Sequence, residues 1–248
     1  LTMIGIDVHG SKGPIDWRSV RAHGVDFAFV KASEGRSFID KRTALNVEGA
    51  RANGILVGCY HFARPNANSP EREADNFLRR INGLGYTLPP VLDIEDGDGD
   101  LSTWARTFCQ HVEFVTGHTP IIYTYSAFAH HLTHASLGGY PLWLAAYRNT
   151  PPTAPRPWNS WTIWQHTSDG TVPGVPGRCD MNKANRLPTI ATGEDEVTTP
   201  AQITEIVDRT VKGVLAALID PEVLAAERIR RATRAAEKLA EHFDVDVT

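Results

Sequence analysis

The chain has no run of apolar residues near the ~20 that a membrane-spanning helix needs, so no membrane partner is expected. It is short of positive charge: 25 Lys and Arg face 29 Asp and Glu, for a net charge of −4. That balance removes the electrostatic case for a nucleic-acid partner or an anionic lipid surface. Cysteine is sparse. Cys59, Cys109 and Cys179 have no metal-type spacing and, being three, cannot all pair, so reduced and mostly buried thiols are expected. The first residues lack a basic segment followed by a long apolar one, and the chain is expected to be made without a signal peptide.

What is present is ordinary for a soluble domain: 42% apolar and 22% charged residues in 248, enough for one large α/β domain with a modest appendage. Short apolar runs at 4–9, 27–34, 55–62, 90–95, 120–125, 141–147 and 161–166 read as strands. Helical segments are expected at 18–23, 43–53, 70–81 and 101–116, with a short one at 127–132. At 70–81 the start signals are Ser69 as cap, Pro70 in the first turn and Glu71 and Glu73 after it. Strands alternating with helices predict an α/β fold with a parallel sheet. The number of repeats predicts a TIM-like barrel, incomplete because helices are missing between the late strands.

The chemistry is clearest at residues 90–95, where an apolar strand ends in Asp93 and Glu95. Residues two apart share one face of a strand, so Val91, Asp93 and Glu95 point one way and Leu92 and Ile94 the other. A pair of carboxylates in that position points to carboxylate-based hydrolysis, in which one acid must keep its proton near neutral pH. Asp7, Glu34, His61, Tyr123, Tyr147 and Gln165 also fall at the ends of their predicted strands. In barrels of this kind that is the catalytic end.

Several segments together resemble the glycoside hydrolase family 25 lysozymes, the Chalaropsis-type muramidases. They are Gly5-Ile-Asp-Val-His, Ile15-Asp-Trp, Phe29-Val-Lys-Ala-Ser-Glu-Gly, Gly58-Cys-Tyr-His-Phe, Val91-Leu-Asp-Ile-Glu, Ile122-Tyr-Thr, Trp143-Leu-Ala-Ala-Tyr, Trp164-Gln and Asp180-Met-Asn. The resemblance implies a flattened, irregular β/α barrel. It also implies cleavage of the β-1,4 bond between N-acetylmuramic acid and N-acetylglucosamine in bacterial peptidoglycan, with no metal or other cofactor. By matching motifs it implies Glu95 as general acid, Asp93 as its partner, and Asp7 and Asp180 as further acidic residues of the site. Tyr60, Tyr123, Trp143 and Tyr147 would be substrate-facing aromatics, with Glu34, His61, Gln165 and Asn182 as polar support. The loop after the first motif departs from the family's usual Gln-Gly, reading Gly10-Ser-Lys-Gly. A phage endolysin is the expected setting, reaching the wall through a membrane lesion made by another protein; a secreted autolysin is the alternative.

Three other features have plainer readings than the ones they first suggest. His130, His131 and His134 could share a helical face as zinc ligands, but a third ligand is not adjacent and a solvated helix is expected. Asp96-Gly-Asp-Gly-Asp lacks the twelfth-position Glu of a calcium loop and is expected to be a flexible turn. The catalytic barrel is expected at 1–190, a linker at 191–199, and two amphipathic helices at 200–248 that pair with each other or mediate self-association. Two other functions stay open at this point: a non-catalytic peptidoglycan-binding module and a chitinase-like glycosidase. The first should have lost the acid pair, and the second should carry a longer acidic ladder before Asp93, where Val91 and Leu88 stand instead.

Overall fold

The computed structural model describes residues 2–190. Strand β1 (Met3–Val8) leads through a single 3-10 turn to helix α1 (Trp17–Ala22), whose Asp16 caps the main-chain N–H groups of Arg18 and Ser19. Then come β2 (Phe27–Glu34), β3 (Phe38–Ile39), α2 (Thr43–Ala52), β4 (Leu56–Phe62), α3 (Pro70–Ile81), β5 (Val91–Asp93) and α4 (Ser102–Thr116). The remainder is β6 (Ile121–Tyr125), β7 (Leu142–Ala145), β8 (Ile163–Gly170) and β9 (Cys179–Ala184), joined by 3-10 turns and irregular chain. No described helix is long and apolar enough to cross a membrane.

Eight strands close a barrel in the order β1, β9, β8, β7, β6, β5, β4, β2, with β2 returning to pair with β1 and β3 hanging on the outside of β2. From β2 through β8 the neighbours are parallel, as strands separated by crossovers require. The all-parallel expectation fails at β9. This strand folds back from β8 as a hairpin and runs antiparallel to both β8 and β1, closing the barrel. It replaces the last βα unit, and it brings the start of β9, rather than its end, to the rim where the parallel strands end.

Alternation along the strands makes two cores. Inward residues (Phe27, Phe29, Val91, Ile121, Trp143, Ile163 and Ala184 among them) fill the barrel. Outward ones such as Ile6, Val30, Val57, Leu92, Ile122 and Leu144 pack under the helices. Two inward glycines make room for the large rings: a Cβ at Gly5 would stand 2.3 Å from the Phe27 ring, and one at Gly58 would stand 2.4 Å from Phe29. Among the described residues, the α-helices all precede β6 in the chain, so they cover one side of the barrel. Ala74, Phe77 and Ile81 of α3 face Ala105, Phe108 and Val112 of α4 at helical spacing, with the Phe77 and Phe108 rings stacked 6.2 Å apart.

Around β7 and β8 tryptophans take over. The indole N–H groups of Trp158, Trp161 and Trp164 donate to the carbonyls of Tyr140, Pro152 and Ala146, pinning irregular chain where a helix would otherwise lie. The short helix expected at 127–132 is only the 3-10 turn Ala129–His131. The shared helical face proposed for His130, His131 and His134 therefore does not form. Their Nδ1 atoms engage the carbonyls of Ala127 and Gly99 and the hydroxyl of Ser136. Ser69 stands at the cap position of α3 but its side chain makes no capping bond; Pro70, which lacks an N–H, occupies the first turn. The linker and helices expected at 191–248 lie outside the described residues.

Candidate active site

A cavity of about 300 Å³ opens at the rim where the parallel strands end. The inward parity that buries Phe29, Val91 and Ile163 lower down delivers Lys31, Asp93 and Gln165 to the cavity two residues later. Its floor is Trp143, 2% exposed, tilted against Phe29 at 4.7 Å and edge-on to Tyr123 at 4.8 Å. Its walls carry four carboxylates, from Asp7, Asp93, Glu95 and Asp180.

Asp7 and Asp180 are cross-strand partners in the antiparallel β1–β9 register. The Asp7 carboxylate accepts from Gln165 Nε2 at 2.9 Å and from Asn182 Nδ2 at 2.8 Å. Gln165 in turn accepts from the hydroxyls of Tyr123 (3.0 Å) and Tyr147 (3.1 Å), and Asn182 accepts from Trp143 Nε1 (2.8 Å). Each amide is thus oriented by donors behind it and presents its own N–H to Asp7. Even so, burial and the neighbouring Asp180 raise Asp7 from 3.8 to about 7, because the two amide bonds offset only part of the lost hydration. Asp180 is also raised by burial, opposed by Lys12. Lys12 sits in the loop that departs from the family pattern, held there by its bond to the Arg178 carbonyl and by the Gly10 N–H bonded to Asp40.

Asp93 closes β5, is 6% exposed, and has one oxygen, Oδ1, with no hydrogen-bond partner. Burial pushes it well above the carboxylate range, and the negative charge of Glu95 adds to the shift, while Lys31 opposes it. Glu95 lies two residues past the end of the strand, half-buried, raised first by burial and then by Asp180. The expected strand 90–95 is therefore shorter than its apolar pattern, yet Asp93 and Glu95 still face one cavity while Leu92 and Ile94 pack outward. Acids whose proton affinity is raised by a partly desolvated pocket can deliver a proton to a leaving oxygen, as cleavage of an acetal bond requires.

The sequence profile of Glycosyl hydrolases family 25 matches residues 6–175, a span that includes Asp7, Asp93 and Glu95. The chain belongs to that family. As a family 25 chain it is a glycoside hydrolase. It is 37% identical to Lysozyme M1 of Streptomyces globisporus over 199 residues, 73% of this chain and 67% of that protein. It is 28% identical to the N,O-diacetylmuramidase of Chalaropsis sp over 212 residues, 77% of this chain and all of that protein. Among solved structures, the bacterial lysozyme from Streptomyces coelicolor is similar with a TM-score of 0.71 at 35% identity, covering 75% of this chain and 93% of that one.

Three of the residues expected as polar support for the substrate in this family 25 hydrolase do not themselves line the cavity. His61 follows Tyr60 on β4, and adjacent residues of a strand face opposite ways, so Tyr60 lines the cavity and His61 points out under the helices. There His61 is fully buried, stacked 5.1 Å from Phe108, bonded to Ser33 Oγ at 2.8 Å and to Glu73 Oε2 at 2.9 Å. Glu34 stands outside the cavity lining, its carboxylate taken by Lys31 Nζ (2.6 Å) and the Arg64 guanidinium (2.7 Å), because a register shift between Lys31 and Ser33 breaks the alternation before it. Asn182 is fully buried beneath Asp7. Conversely, His9, Lys31 and Phe62 line the cavity and were missed. Each stands two residues beyond an inward residue, namely Asp7, Phe29 and Tyr60, so the period of two marked all three.

Proposed function

We propose that the protein is a peptidoglycan-degrading lysozyme that hydrolyses the β-1,4 bond between N-acetylmuramic acid and N-acetylglucosamine. The observation that carries the assignment of roles is the buried Asp93, with one oxygen unpartnered, next to the half-buried Glu95 in the same cavity. Glu95 is the proton donor and Asp93 orients the 2-acetamido group of the sugar. Burial raises both groups above the ordinary carboxylate range, and Asp93 is the more deeply buried of the two. An acetamido N–H donated to Asp93 favours its anion, and the charge of that anion in turn favours the protonated form of Glu95. The acetamido oxygen then attacks the anomeric carbon as the glycosidic oxygen departs with the Glu95 proton. Water opens the resulting ring, giving its proton to the Glu95 carboxylate, and the two inversions leave net retention. Asp7, held by Gln165 and Asn182, and Asp180 stabilise the developing positive charge, and Tyr60, Tyr123 and Tyr147 contact the sugars.

Reducing-end analysis of digested cell wall tests the reading. New N-acetylmuramic acid ends are expected; binding without new ends would make the chain a binding module, and new N-acetylglucosamine ends would reverse the bond assignment. NMR of the first product tests stereochemistry, and an inverted anomer would rule out the acetamido route. The residues 1–190 form the catalytic unit in this reading, and the endolysin role is tested by expression inside bacteria. Lysis only when a separate protein opens the membrane is the expected result, and lysis without it would point to an exported autolysin.

A further inference from the structure

We infer that Arg64 is a positioning residue for the loop that carries the proton donor: its guanidinium ties Asp96, next to Glu95, to Glu34 at the end of β2. The inference rests on the reading of Glu95 given above. Strand β5 stops at Asp93, and the Ile94 N–H still reaches the Tyr123 carbonyl at 3.0 Å. Past that point the loop is tied by side chains from the segment after β4: Arg64 bonds Asp96, and Asn66 bonds Asp98 both ways, at 2.7 and 3.2 Å.

Arg64 is itself held from three sides. Its main-chain N–H donates to the buried Glu73 carboxylate at 3.0 Å, and Nε and Nη2 donate to Glu34 Oε1 at 2.9 and 2.7 Å. The guanidinium also lies 4.5 Å from the centroid of Phe62, a ring that lines the cavity. One edge of the fork therefore grips Glu34 while Nη1 reaches Asp96. A lysine ammonium is a single point of charge and cannot hold that arrangement. Glu73, through the same carboxylate, also accepts from His61 and from Asn68 Nδ2 at 2.7 Å, so the clamp is anchored in the packed layer between α3 and the barrel. No substrate contact is needed for this role, and Arg64 does not line the cavity.

The same geometry has an electrostatic signature. Glu95 faces Asp180 from β9, Lys31 from β2, Asp93 and Asp7 across the cavity, and Asp96 and Arg64 on its own side. The phenols of Tyr123 and Tyr147 complete the wall. Arg64 and Asp96 act on Glu95 with opposite sign. Loss of the guanidinium must raise the pH at which the donor ionises, and loss of the Asp96 charge must lower it; a residue that merely supported the fold would do neither.

The test compares Arg64→Gln, Arg64→Lys and Asp96→Asn in the full chain, with kcat and KM on soluble wall fragments across pH. A loss of about ten- to a hundredfold in kcat, with KM little changed, is expected for both Arg64 variants, since small displacements of a reacting group are costly. The alkaline limb of the profile moves up in Arg64→Gln and down in Asp96→Asn. A kcat within about twofold of the unmodified protein in Arg64→Gln, or an alkaline limb common to all variants, overturns the inference. Should Arg64→Gln fail to unfold cooperatively, Arg64→Lys and Asp96→Asn decide on the same criteria. Glu95→Gln runs alongside: turnover retained there refutes the donor assignment itself. An inactive Glu95→Gln with an unaffected Arg64→Gln removes only the clamp.

Discussion

Asp7 is a carboxylate the fold would be more stable without, and Asp7→Asn tests that directly. It is 8% exposed and raised from 3.8 to about 7, so between those values the native state binds a proton that the unfolded chain has already released. Native stability then falls as pH rises through that interval and levels off above it. A rise of that size corresponds to about 4 kcal/mol, and because the shift is shared with Asp180, about 2–4 kcal/mol belongs to Asp7 at pH 8. Asparagine has the same shape, and its single oxygen can accept from both Gln165 Nε2 and Asn182 Nδ2 as the Asp7 Oδ2 does. Asp7→Asn is therefore expected to raise Tm by roughly 5–12 °C at pH 8, a gain mostly lost near pH 4, where the native aspartate is protonated and the unfolded one about half so. Turnover should fall in the same variant, the usual trade of stability against an active-site charge. Thermal unfolding across pH, with wall hydrolysis measured in parallel, checks both halves. An equal gain at pH 4 and pH 8, or no gain at all, would refute the argument that burial and like charge raise this group.

Glu95→Gln should lower kcat by about 10²–10⁴ while binding of wall fragments persists, which a pull-down on insoluble wall would measure. The unmodified enzyme should lose activity at alkaline pH through an ionisation above that of free glutamate, because burial and Asp180 raise Glu95; a pH–rate profile with its only ionisation below about 5 would contradict this. Glu73→Leu strands the His61 Nε2–H and the Arg64 main-chain N–H, for a loss of about 2–4 kcal/mol in denaturant melts. Adding His61→Phe should recover part of it, since one stranded donor is then gone. Gly58→Ala puts a methyl 2.4 Å from Phe29 and 3.1 Å from Leu88, and should cost about 1–3 kcal/mol of stability by overpacking the barrel, with the pH profile unchanged.

How far the site was legible follows from the period of two. Val91, Asp93 and Glu95 could be placed on one face without any knowledge of their neighbours, and the same count brings in His9, Lys31 and Phe62. It also excludes His61, whose histidine chemistry and position at a strand end made it attractive although Tyr60 beside it already held the inward place. Glu34 escaped the count because the irregularity at Lys31 and Ser33 depends on how β2 meets β4, which no local pattern announces. The strand at Cys179–Ala184 alternates too weakly between apolar and polar residues to be seen alone. Asp180, Asn182 and Lys183 interrupt it because two of them serve the cavity and its support.

The βα succession and the shared face of Asp93 and Glu95 could be read from patterns within a few residues, and the barrel class and the family from the order of such short patterns along the chain. Only the tertiary structure decided that β9 runs antiparallel and so sets Asp180 across from Asp7, and that Arg64 bridges residues 30 positions before it and 32 after it. Only it decided that Asp93 has an oxygen with no partner. A carboxylate's burial, its charged neighbours and its unmet hydrogen bonds are properties of surfaces that meet from distant parts of the chain. The residue types of the cavity were therefore visible in local patterns, while the closure of the barrel raised Asp7, Asp93, Glu95 and Asp180 above the ordinary carboxylate range.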